Sequence, residues 1–333
     1  MVAEGTAQEM IATLEAQARA QEASGDRVGL LETLSRLATL LAERNDEGRA
    51  RSALGQAYEV ARTVENQPGM TPILHQLGFR YYREGGWDRA LELYHRALAL
   101  QKEAKDQMGI AATLGSIAEV LQGKGEFVKA LETYEASLAL KTELQDEPGL
   151  ALTWNNIGTV NARMGDFRGA MEAFGKCLQI QEKLGDVRGK AVTLSNIGGI
   201  YQRQRNWREA RQVLEQSLAL YEKVGDAMGT ASVLNTLGFV QRRLGDLDGA
   251  YQRYARAKTL IERQGDLLRV TIPAHNMALI HEERGEYREA LRLMEEVISI
   301  DKRIGHPDLR QDLETFGRIR EKLDRQRDEH LSG

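Results

Sequence analysis

Apolar residues along this chain recur three and four apart in stretches broken by short polar segments rich in Gly and Asp. Between 147 and 163, Trp154, Ile157, Gly158 and Val160 hold one helical face. Asp146 stands where an N-cap belongs, able to accept from the free N–H groups of a first turn. In Met164-Gly165-Asp166-Phe167, Gly165 suits the left-handed end of a helix and Asp166 the cap of the next. Ala170, Phe174, Cys177 and Leu178 then form a second helical face that ends near Lys183, and Gly185-Asp186 restart the cycle. The pattern predicts helices in pairs and no strands.

The cycle repeats every forty residues. Asp26, Asn66, Asp106, Asp146, Asp186, Asp226 and Asp266 share one column. Gly29, Gly69, Gly109, Gly149, Gly189 and Gly229 share another, broken by Arg269, and His306 replaces the acid in the last unit. Ala50, Ala90, Ala130, Ala170, Ala210, Ala250 and Ala290 make a third. Large residues supply knobs: Leu34, Leu74, Leu114, Trp154, Leu194 and Leu234 on the first helices, and Leu54, Tyr94, Tyr134, Phe174, Leu214, Tyr254 and Met294 on the second. Gly78, Gly158, Gly198, Gly238 and the alanine column supply holes, which let helices approach closely. One such pair buries too little apolar surface to stand alone, so the pairs must stack.

The spacing places a lone second-type helix at 6–23 within an N-terminal segment 1–25, seven helix pairs over 26–305, and a last helix within 306–333. That helix is expected from about 307, with Pro307 in its first turn. Its apolar set, Leu309, Leu313, Phe316, Ile319 and Leu323, is slipped by one residue from the columns, and its charged end reads as a solvated cap. Sixteen helices are expected in all. Pro72 and Pro273 lie several residues inside their expected helices, so these either start late, capped by Thr71 or Thr271, or kink.

The segments Trp154-Asn155-Asn156-Ile157-Gly158, Gly165-Asp166-Phe167-Arg168-Gly169-Ala170 and Phe174-Gly175-Lys176-Cys177-Leu178 resemble the tetratricopeptide repeat (TPR) motif, as do Leu194 to Ala210 and Leu234 to Ala250. The long period is similar to that of kinesin light chain and LGN-type scaffolds. The resemblance covers about 27 to 305 and implies an all-α, right-handed superhelical TPR solenoid of antiparallel-paired helices. It also implies a concave face lined by the first helices, with asparagines gripping the backbone of an extended peptide. That role carries over to Asn155, Asn156, Asn196, Asn235 and Asn276, unless they bond between neighbouring helices instead. Arg83, Arg163, Arg203 and Arg243 share a row two turns beyond and favour an acidic or C-terminal segment, if they are not simply solvated or paired at the surface. Phe79 and Phe239 serve either as apolar anchors or as core packing. The chaperone-type clamp is missing, because its asparagine site holds Phe79, Thr159, Gly199 and Phe239.

Composition narrows the remaining classes. The chain is 42% hydrophobic and 28% charged with net charge −4, which fits a packed core and argues against general affinity for nucleic acid or anionic membrane. No stretch suits a membrane span, and the single Cys177 rules out an intrachain disulfide and fits a reducing, cytoplasmic setting. Six scattered histidines (His75, His95, His275, His281, His306, His330) show no metal spacing, no cofactor motif occurs, and Cys177 sits in a column of small core residues. The expectation is a non-catalytic adaptor for an acidic peptide segment. The alternatives are a peptide-sensing regulator and a self-associating scaffold.

Overall fold

The computed structural model describes residues 2–44, 46–64 and 70–332. The repeat positions Asn66 and Gly69 lie outside the described residues, as does the side chain of His330. Sixteen helices and no strands occur among the described residues. They are α1 (Val2–Ser24), α2 (Arg27–Glu43), α3 (Glu47–Thr63), α4 (Met70–Arg83), α5 (Trp87–Glu103), α6 (Gln107–Lys124), α7 (Phe127–Glu143), α8 (Glu147–Met164) and α9 (Phe167–Leu184). They continue as α10 (Val187–Arg203), α11 (Trp207–Lys223), α12 (Ala227–Arg243), α13 (Leu247–Arg263), α14 (Leu267–Glu283), α15 (Tyr287–Ile304) and α16 (Leu309–Ser332).

The aspartate column acts as expected. Asp26, Asp106, Asp146, Asp186, Asp226 and Asp266 each accept from the backbone N–H three residues on, at 2.8–3.0 Å. Such a cap is worth about 1 kcal/mol. The glycine column follows from these caps. A Cβ on Gly149 would come within 1.9 Å of Asp146 Oδ2, and one on Gly189 within 2.0 Å of Asp186 Oδ2. Gly165 ends α8 with φ +85°, in the left-handed region.

Two compact units divide the chain, Met1–Ala173 and Phe174–Gly333, the division falling inside α9. In the first, α2 packs on α3, α4 on α5 and α6 on α7, while the first-type helices α2, α4, α6 and α8 meet in succession. Leu31, Leu54, Leu74, Leu93 and Tyr134 are among its fully buried side chains. Gly78 is a hole for Tyr94, since a Cβ there would stand 2.8 Å from the ring. Leu114 and Trp154 are half-buried and pack at the edge of this core.

In the second unit the pairs are α10 with α11, α12 with α13 and α14 with α15, and α16 closes on α15. Leu214 fills the hole at Gly198 and Tyr254 that at Gly238, with would-be Cβ contacts of 2.6 and 2.7 Å.

Three expectations need correction. Helix α4 is described from Met70, so Thr71 lies inside it and does not cap it, and Pro72 is helical. Helix α14 does not start late. Asp266 caps it through the Arg269 N–H, and Pro273 is buried within it. Helix α16 begins at Leu309, leaving Pro307 in the turn before it, and its buried face is Asp312, Thr315 and Ile319, while Leu313 is 44% exposed.

Candidate functional site

A first-type helix in each repeat carries a stripe of residues spaced four, three and four apart, which brings them to one face. On α8 the stripe is Leu152, Asn156, Thr159 and Arg163. On α12 it is Ser232, Thr236, Phe239 and Arg243, and on α14 Ile272, Asn276, Leu279 and Glu283.

In the second unit Phe239 and Arg243 of α12 and Ile272, Asn276, Leu279 and Glu283 of α14 line one hollow of about 800 Å³, with α16 supplying the far wall, while Ser232, Asn235 and Thr236 line a separate one of about 480 Å³. The Arg243 guanidinium lies 5.1 Å from the centre of the Phe239 ring, which also meets Trp207 edge-on at 6.0 Å. Asn276 Nδ2 donates to Asn235 Oδ1 at 3.3 Å across the two helices. Arg242 pairs with Glu283. Glu282 is 8% exposed and would be raised by burial alone, but Arg318 and Lys322 of α16, both 2.9 Å away, hold its carboxyl below the usual range.

The same stripe positions line a second hollow in the first unit, of about 760 Å³. Arg36, Thr39 and Glu43 come from α2, and Gln76, Phe79 and Arg83 from α4. Phe79 is 52% exposed there. Arg80 lines it too but is tied to α2, donating to the carbonyls of Ala38 and Thr39 at 2.9 and 3.1 Å.

The structure thus brings Phe79 together with Arg83, and Phe239 with Arg243 and Asn276. Asn155, Asn156 and Arg163 on α8, and Asn196 and Arg203 on α10, line neither hollow. Asn156 Nδ2 donates at 3.2 Å to Glu119, whose carboxyl burial pushes above its usual value against the pull of Asn156 and Lys141. His75 and His275, one position before the amides, turn toward the next first-type helix, whereas Ser35 donates to Leu31 O of its own helix. Ser35 is buried, His75 Nε2 bonds Thr113 Oγ1 at 2.6 Å, and His275 bonds Asp312.

An aliphatic row at the head of the stripe was not anticipated: Leu152 is 56% exposed, Val192 36% and Ile272 47%. Its sequence signal is an apolar residue one turn before each amide, on what is otherwise the polar face. Among the described residues no group of three or more His, Cys, Asp or Glu is placed to hold a metal ion, and no helix is long and apolar enough to cross a membrane.

Comparison with known proteins agrees with this architecture. The family model described as tetratricopeptide repeat matches residues 70–143, 149–223 and 229–303, more than half of the chain. No curated protein sequence matches. Among solved structures, the apo form of RapI is similar at 18% identity and TM-score 0.61, over 83% of this chain and 98% of that one. A Rap protein complexed with Competence and Sporulation Factor is similar at 13% identity and TM-score 0.58, over 97% of this chain and 98% of the other. A kinesin light chain-like protein of nearly identical TPR-like repeats from Podosopora anserina is similar at 19% identity and TM-score 0.50, over 60% of this chain and 99% of that chain.

Proposed function

We propose that this chain, a member of the tetratricopeptide repeat family, holds an extended acidic peptide segment of a partner protein in the hollows lined by its first-type helices, and catalyses no reaction. The observation that carries this reading is the shared lining. In both units the same positions present a polar side chain, an exposed or half-exposed phenylalanine and an arginine side by side. An arginine stacked on an aromatic ring stays available to a carboxylate, which it pairs with bidentately. The Asn276–Asn235 bond uses only part of the capacity of two amides, each of which has two donor protons and an acceptor oxygen. Peptide groups can therefore be bonded whatever side chains they carry. Ile272 adds apolar surface beside Asn276.

The test is selection of a displayed random peptide library of about twelve residues on the immobilised chain, followed by fluorescence titration of the recovered peptides. Peptides rich in Asp and Glu are expected, bound at least ~10-fold more weakly by Arg243→Glu or Arg83→Glu, with circular dichroism unchanged. Peptides without acidic character, or acidic ones indifferent to both variants, would sink the proposal. The likeness to a Rap protein complexed with Competence and Sporulation Factor favours one second reading, a regulator whose shape changes when its ligand binds. Small-angle scattering with and without the selected peptide separates the two, since an adaptor keeps its dimensions.

A further inference from the structure

In three successive repeats the last turn of the second-type helix carries a buried polar residue that meets the following first-type helix. Gln101 accepts from Thr113 Oγ1 at 2.6 Å, Lys141 donates to Thr153 Oγ1 at 2.8 Å, and Gln181 accepts from Thr193 Oγ1 at 3.0 Å. In the final repeat that column holds Asp301, fully buried, and the slipped register of α16 sets Asp312 opposite it. Neither oxygen of the Asp301 carboxylate finds a donor. The Asp312 carboxyl is within hydrogen-bonding reach of it, and His275 of α14 bonds Asp312 from the other side.

Two carboxylates shut away from water repel unless something positive lies between them, and the smallest such thing is a proton. We propose that α16 is a proton-operated latch, closed on α14 and α15 while Asp301 and Asp312 share one proton and loosened when the pair loses it. Helix α16 is also the far wall of the hollow lined by Phe239, Arg243 and Asn276, so loosening widens that hollow. The latch stands whether or not the hollow takes a peptide.

The groups that face the pair are few. From the turn before α16, His306 Nδ1 lies 3.9 Å from Asp301 Oδ1. It accepts the Asp308 N–H at 3.1 Å, so neutral His306 offers Asp301 no donor there. The Asp308 carboxylate adds further negative charge. From α14 comes His275, whose Nδ1 bonds Asp312 on the side away from Asp301. Burial first, and Asp312 second, raise the Asp301 carboxyl from the ordinary 3.8 to about 6. The folded value lies above the unfolded one, so the contribution to stability is full below about 4 and is lost as pH rises through about 6. The Glu282–Arg318–Lys322 cluster stays charged over that range, so it tethers α16 while the other end loosens.

Hydrogen–deuterium exchange of the full chain, corrected for the intrinsic chemical rate, reads the latch directly through the amides of α16. Wild-type protection is expected to fall at least ~10-fold between pH ~5 and pH ~7.5, the equivalent of one pKa unit. Asp301→Asn is expected to hold the acid level of protection throughout, and Asp312→Asn to do the same should the first variant fail to fold. A flat wild-type profile, or a pH dependence that survives in a folded variant, overturns the proposal. So does a loss of α16 protection on adding a chelator at neutral pH, which would make the shared ion a metal rather than a proton.

Discussion

His75 on α4 and His275 on α14 stand in the same repeat column, and each bonds a side chain of the next first-type helix that in turn faces the end of the second-type helix between them. The first set is His75, Thr113 and Gln101, and the second His275, Asp312 and Asp301. The threonine hydroxyl has its own proton, gives it to Gln101 and accepts from His75, so three polar groups are satisfied without a charge. The aspartate pair has none and must borrow one. Their responses to acid are therefore opposite. Burial lowers the pKa of His75, so what that set contributes is present above the unfolded value and is lost as pH falls. Asp301 is raised, and its contribution returns as pH falls. One backbone geometry serves both purposes, and the residue pair chooses between a fixed joint and an adjustable one.

Moving the acidic pair into the first unit is the strongest test of this contrast. Gln101→Asp with Thr113→Asp should cost about 3–5 kcal/mol at pH ~7.5, as an uncompensated buried charge does, and recover in part at pH ~5. Urea unfolding at the two pH values checks it, and equal losses at both would break the comparison. In the other direction, Asp301→Gln with Asp312→Thr should stabilise the second unit by about 1–3 kcal/mol at pH ~7.5 and abolish its gain in acid. Lys141 occupies the same column, and burial holds its ammonium below the usual range. Lys141→Gln should add about 1 kcal/mol near neutrality and remove the rise in stability expected of the wild type as pH climbs from the lowered folded value to the unfolded one, above which it is complete. The smallest effect concerns the turns that follow. Gly305 ends α15 with φ +67°, whereas Lys105 takes φ +56° at the matching place after α5. Lys105→Gly should raise the melting temperature by the equivalent of ~0.5–1 kcal/mol, and Gly305→Lys lower it by a similar amount.

Most of the scaffold could be read from residues that act locally. An aspartate cap needs only the N–H three residues on, and a glycine opposite a tyrosine needs only the helix period, so Asp146 with Gly149 and Gly78 with Tyr94 were legible as columns. The candidate site was legible one helix at a time. Phe239, Arg243 and Asn276 carry a period that the sequence displays, and the structure adds that they share a hollow. The direction of the row one position before the amides was not legible. Whether His75 faces the groove or the next helix depends on the rotation from one pair to the next, which many contacts set together and no single spacing encodes. The packing of α16 escaped for a related reason. Its apolar residues named Leu313 for the interior, but the loop through Pro307 feeds the helix in one residue out of step and buries Asp312 instead.

The forty-residue beat of capped helices has a consequence for how such a chain changes length. The junction before Asp106 and the junction before Asp146 are chemically alike: a last helical turn, a residue in the left-handed conformation, then the capping acid. Unequal crossover between the DNA encoding two such junctions deletes or duplicates a whole repeat and leaves no scar, because the new neighbours meet through the same cap and the same alanine. Length in this chain is therefore inherited in steps, and the number of repeats can drift by whole units while each remaining helix keeps its start and its stop.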